Sequence, residues 1–161
     1  MKNPFKFIVS VFTCEAVGLL GIPFTLTSVQ TWYTTLNKPS FSLPNWIFGP
    51  VWTMLYFMMG VSAYLVWVKG LENKKVRVAL TLFLLQLFLN FLWSILFFGL
   101  RSPVLALIDI IILWFAIIFS IQKFYRISKS ASYLLIPYLL WVSFALVLNL
   151  LKDKEVTSLN L

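Results

Sequence analysis

Five apolar runs, roughly residues 5–29, 46–68, 78–99, 104–123 and 133–151, take up most of this chain and limit what it can fold into. A hydrocarbon core of about 30 Å needs about 20 residues of helix to cross it, and each run reaches that length. In lipid every backbone N–H and C=O must be satisfied within the protein, so runs of this kind become helices. The expected fold is therefore all-α: a polytopic membrane protein whose single domain is a bundle of five transmembrane helices. Charged residues make up 11% of the 161 residues, against about 25% in soluble domains. Lys2 and Lys6 precede the first run in the manner of a signal peptide, but the run exceeds an h-region and no small-residue cleavage site follows, so it reads as a retained helix.

The charge pattern gives an orientation. Nine of the thirteen Lys and Arg lie at the N-terminus (Lys2, Lys6), in the 69–77 connection (Lys69, Lys74, Lys75, Arg77) and at 123–132 (Lys123, Arg126, Lys129), all on one side of the expected topology. Lys38, Arg101, Lys152 and Lys154 fall on the other. By the positive-inside rule the N-terminus is cytoplasmic, in a multi-pass protein of the cell inner (plasma) membrane. The net charge of +8 is spread over short loops rather than gathered on one face, which argues against nucleic acid as a partner and leaves the bilayer. There is no His, so imidazole acid/base chemistry and His-held metal or haem are excluded, and no metal site is expected. The single cysteine, Cys14, has no partner for an intrachain disulfide.

Between the first two runs, residues 30–45 hold Trp32, Tyr33, Lys38, Pro39 and Pro44, and the prolines forbid a continuous helix there. The stretch reads as a structured loop, either a lid over a ligand or an aromatic belt at the membrane surface. Behind it Trp52, Tyr56 and Met59 share one helix face. In the third run Gln86, Asn90, Trp93 and Phe97 form a stripe of two amides and two aromatics. Amides in a membrane helix turn away from lipid, either to line a cavity or to bond a neighbouring helix. Asp109 in the fourth run and Ala145 and Asn149 in the fifth fall, with Trp52, Tyr56, Asn90 and Trp93, in the outer half of the bundle, and Trp141 of the fifth lies near the middle. Glu15 in the first run is a further buried-carboxylate candidate, as a ligand group or a bond to a neighbouring helix. An aromatic cavity with a few amides and one carboxylate suits a large, flat, mostly apolar ligand.

Three blocks carry a family resemblance: W-Y-x-x-L-x-K-P-x-x-x-x-P-x-W-x-x-G-P-V-W-x-x-L-Y from Trp32 to Tyr56, Q-L-x-L-N-x-x-W-S-x-x-F-F from Gln86 to Phe98, and P-Y-L-x-W-x-x-F-A-x-x-L-N from Pro137 to Asn149. In this order they resemble the TspO/MBR family of tryptophan-rich sensory and translocator proteins, also known as peripheral benzodiazepine receptors. The resemblance implies a five-helix bundle, often a homodimer, that binds porphyrins such as protoporphyrin IX and drug-like isoquinoline carboxamides. No cofactor is required; porphyrin is a ligand. The implied binding positions are Trp52, Tyr56, Asn90, Trp93, Trp141, Ala145 and Asn149, beneath a loop carrying Trp32, Lys38 and Pro44; Gln86 and Asp109 join them from the stripe and the buried carboxylate. Some bacterial members break down porphyrin in light, for which Trp52 and Trp141 would be the reacting residues. Departures from the family pattern are Leu43 before Pro44, Leu105 at a position where animal members carry Trp, and no Tyr after Asn149 where the animal sterol motif has one. The functional expectation is a porphyrin-binding sensor or carrier, with light-driven degradation and transport as alternatives.

Overall fold

In a computed structural model the protein is described over residues 3–30 and 45–159, with side chains over 3–23 and 49–151. The 30–45 loop, with Trp32, Lys38 and Pro44, lies outside the described residues except for its end points in helices. The helices are α1 (Pro4–Gln30), α2 (Asn45–Trp67), α3 (Lys74–Ser94, continued by a π turn over Ile95–Gly99), α4 (Pro103–Tyr125), α5 (Lys129–Leu134) and α6 (Ile136–Leu159). There are five apolar spans among them, α5 and the first part of α6 forming the fifth. No strand occurs among the described residues.

Local sequence explains the boundaries. Asn73 caps α3, its Oδ1 accepting the Lys75 N–H at 2.9 Å. Ser102 caps α4 through the Leu105 N–H, with Pro103 at the first helical turn, where a missing N–H costs nothing. Ser128 caps α5 through the Ala131 N–H. The fifth span therefore starts four residues before the expected Tyr133 and is broken at Leu135, because Pro137 has no N–H to continue the ladder. Gly70 ends α2 at φ +102°, a conformation that costs glycine little.

Specific contacts fix the register. Lys6 lies over the Trp67 ring and Phe7 meets Tyr64 edge-on, so α1 and α2 run antiparallel. Their backbones approach closely at two glycines: a Cβ on Gly60 would stand 2.5 Å from Val11 Cα, and one on Gly18 would stand 2.7 Å from the Tyr56 ring. Gly21 meets Ser94, placing α3 parallel to α1. The rings of Phe83 and Phe124 stack at 5.7 Å between α3 and α4. Short connections make α3 and α4, and α4 and the fifth span, antiparallel neighbours. The α2 to α3 connection, 68–73, is also short, yet α2 packs mainly on α1 and α5, and the order around the bundle is α1, α2, α5 with α6, α4, α3. The core along the axis includes Met59, Phe83, Ile110, Ile117, Phe124 and Tyr138.

Candidate functional site

The buried polar groups of the bundle sit at two levels. At the first, the Tyr56 hydroxyl on α2 donates to Asn90 Oδ1 on α3 at 2.6 Å, and Asn90 Nδ2 donates to the Tyr138 hydroxyl on α6 at 2.7 Å. Three helices are tied together through one amide, and all three residues are buried. Towards the α3–α4 turn, Trp93 Nε1 donates to Asn149 Oδ1 at 3.0 Å, while Asn149 Nδ2 donates to the Pro103 carbonyl at 2.9 Å. This second bridge joins α3, α6 and the start of α4. A separate bond from Trp114 Nε1 to Ser143 Oγ, 2.8 Å, secures α4 to α6.

Aromatic rings gather beside the first bridge. Trp52 stacks on Tyr56 with centroids 5.6 Å apart, and meets Trp141 edge-on at 6.2 Å; Trp141 in turn packs on Phe144. Around the second bridge Trp93 stacks on Phe97 at 5.1 Å, held there by the π turn that follows α3. That turn closes through Leu100 N–H to Ile95 C=O, 2.8 Å, and leads into Arg101 at φ 52°, outside the range most side chains adopt.

Of the residues singled out in the sequence, Trp52, Tyr56, Asn90, Trp93, Trp141 and Asn149 are thus brought into two touching groups, and Ala145 packs against the same core. Both asparagines are engaged with protein partners, each keeping one N–H and one lone pair for anything else. Gln86, one turn from Asn90, is 1% exposed, and neither end of its amide has a hydrogen-bond partner among the described residues. Asp109 is buried in α4 with Oδ2 likewise unpartnered. Glu15 is half-buried on α1. Sequence reasoning missed Tyr138, the largest fully buried side chain, and Ser143. Tyr138 was legible as a hydroxyl three residues from Trp141, on the same face of a membrane helix. No group of three or more His, Cys, Asp or Glu able to hold a metal occurs among the described residues.

Comparison with known proteins places this arrangement. The model of the TspO/MBR family matches residues 10–151. The chain is similar to the tryptophan-rich protein TspO of Archaeoglobus fulgidus, 51% identical over 147 residues that cover 91% of this chain and 94% of that one. It is 42% identical to the human translocator protein over 119 residues, covering 73% and 70% of the two chains. The tryptophan-rich sensory protein of Cereibacter sphaeroides is 33% identical over 143 residues, covering 89% and 86%.

Proposed function

The chain belongs to the TspO/MBR family of multi-pass membrane proteins, and on that premise we propose that it is a membrane receptor or sensor for a flat, largely apolar ligand of the porphyrin type, protoporphyrin IX being the reference compound. The observation that carries this reading is the meeting of Trp52, Tyr56 and Trp141 beside Asn90, which is bonded to both Tyr56 and Tyr138. Those rings offer stacking surface at little entropic cost, and a stacked aromatic pair contributes about 0.5–1.5 kcal/mol beyond area burial. The asparagines act mainly by holding α2, α3, α4 and α6 at the spacing the rings require, with Trp93 placed by Asn149. Trp32, Lys38 and Pro44, outside the described residues, would join the site as the family resemblance implies, Lys38 pairing with a porphyrin carboxylate. The N-terminus is cytoplasmic, so this end of the bundle faces outward. Isoquinoline carboxamides, flat and amide-bearing, would compete for the same rings.

Titration of the purified protein with protoporphyrin IX tests the proposal. Saturable quenching of Trp fluorescence is expected, weakened by Trp141→Phe and unchanged in affinity by Trp67→Phe, since Trp67 lies at the opposite end of α2 under Lys6. Equal loss in both variants, or no saturation, would reject the site. Contact between the Trp52 and Trp141 rings, centroids 6.2 Å apart, also favours a second reading, light-driven breakdown of bound porphyrin, in which one of these indoles passes an electron to the excited porphyrin and dioxygen is the oxidant consumed. Under illumination that reading expects the porphyrin bands to bleach with wild type and far more slowly with Trp141→Phe; bleaching at the same rate in both would leave binding as the activity.

A further inference from the structure

A groove of about 450 Å³ runs between α1 and α3 at the opposite end of the bundle from the aromatic cluster, within the range of about 300–1,000 Å³ usual for small-molecule sites. It exists because α1 and α3 touch at the Gly21–Ser94 level but separate towards their N-terminal ends. Trp67, which lines it, is fifteen residues along α2 from Trp52, about 22 Å at the helical rise. The floor is Cys14, Ala63 and Phe83, all buried, and its long side is open between α1 and α3. Phe12 and Leu85, 72% and 50% exposed, mark the surrounding helix surface as lipid-facing.

Its chemistry is graded from one end to the other. Arg77, in the first turn of α3, stands exposed at the connection end, and no side chain among the described residues pairs with it. Lys6 lies over Trp67 at the same end, with Lys69 in the α2–α3 connection and Lys74 and Lys75 at the start of α3, against a single acid, Glu72. Further into the membrane the lining is apolar apart from the hydroxyls of Ser10 and Thr13 and Thr81, the last already bonded to the Arg77 carbonyl. A basic end at headgroup depth leading into an apolar trough matches an amphiphile with an anionic head. We infer that this groove holds one anionic phospholipid of the surrounding bilayer, an acyl chain lying along α1 and α3 and the phosphate on Arg77. A second copy of the chain is the poorer occupant: a parallel two-fold contact through this face would set Arg77 and Lys6 against the same cations of the other copy.

Native mass spectrometry of the protein released from mixed micelles of phosphatidylglycerol and phosphatidylcholine with identical chains tests this. Wild type should keep one phosphatidylglycerol in preference to phosphatidylcholine, and Arg77→Gln should lower that preference about fivefold, the worth of about 1 kcal/mol for one cation near a headgroup. Thr13→Trp, which fills the trough from an exposed position, should reduce retention of both lipids. Lys129→Gln, on α5 and away from the lining, should change neither. The inference is overturned if phosphatidylcholine is kept as well as phosphatidylglycerol, if Arg77→Gln leaves the preference intact, or if a lipid-free dimer appears that Thr13→Trp dissociates. Should Thr13→Trp fail to fold, the contrast between Arg77→Gln and Lys129→Gln decides alone.

Discussion

The Asn90 amide and the Gln86 amide are one helical turn apart on the same buried face of α3, yet their energetics have opposite sign. Asn90 joins the Tyr56 and Tyr138 hydroxyls, so Asn90→Leu strands two phenols in the bundle interior. The expected loss is about 1–3 kcal/mol, the cost of leaving buried polar groups unsatisfied. Gln86 has no partner to strand among the described residues, so Gln86→Met, which keeps the volume and removes the orphaned amide, is expected to raise stability by about 1 kcal/mol. Thermal unfolding in one detergent reads both; a fall in melting temperature for Gln86→Met would mean that its amide has a partner in the membrane. The sequence made the two amides look alike because spacing along α3 reports only which face they share. What distinguishes them is Tyr138 on another helix, and no pattern within α3 encodes that. The aromatic side of the site was far easier to see. Trp52, Tyr56, Trp93 and Trp141 are rare, large residues at helical spacing, and a mid-membrane indole is conspicuous where a belt residue has no reason to be.

At the level of helices, hydropathy made the five spans readable, while it could not show how closely any two of them approach. Glycine content hints at close approach, but not every glycine serves it. Gly60 sits against the Val11 backbone, so Gly60→Ala must push α1 from α2 and is expected to destabilise by about 1–3 kcal/mol, the usual cost of overpacking. Gly49, with nothing among the described residues within 4 Å of an added Cβ, should accept Ala with no loss and a small gain from helix propensity. Denaturant or thermal titration of the pair checks this, and equal effects would mean α1 and α2 are less closely apposed than the Gly60–Val11 contact requires. The break at Leu135 follows the same logic of local chemistry read too coarsely. Pro137 was visible in the sequence, but the apolar run continues through it, and hydropathy does not register a missing N–H. Ser128, by contrast, is an ordinary cap, and reading it as one would have moved the start of the fifth span to Lys129.

For the molecule as a whole, the bundle sorts its polar chemistry by depth. The end that begins α1 and α3 carries Lys6, Lys74, Lys75 and Arg77 beside the groove, and α4 and α5 bring Lys123 and Lys129 to the same end, the latter over the Tyr125 ring. The opposite end holds the Trp93–Asn149–Pro103 bridge and the aromatic cluster. Positive residues resist translocation, so the first end should face the cytoplasm, and the proposed ligand would then enter from outside while the proposed lipid site draws on the inner leaflet. Single cysteines at Lys38 and at Lys75, each in a Cys14→Ala background, report this directly in intact cells with a membrane-impermeant maleimide. Cys14 is itself buried in the groove floor, and its replacement removes the only competing thiol. Labelling of Lys38→Cys but not Lys75→Cys is expected, with both labelled after the membrane is opened. The reverse pattern would invert the orientation and place the basic groove in the outer leaflet; equal labelling in intact cells would mean that the charge asymmetry does not fix one topology.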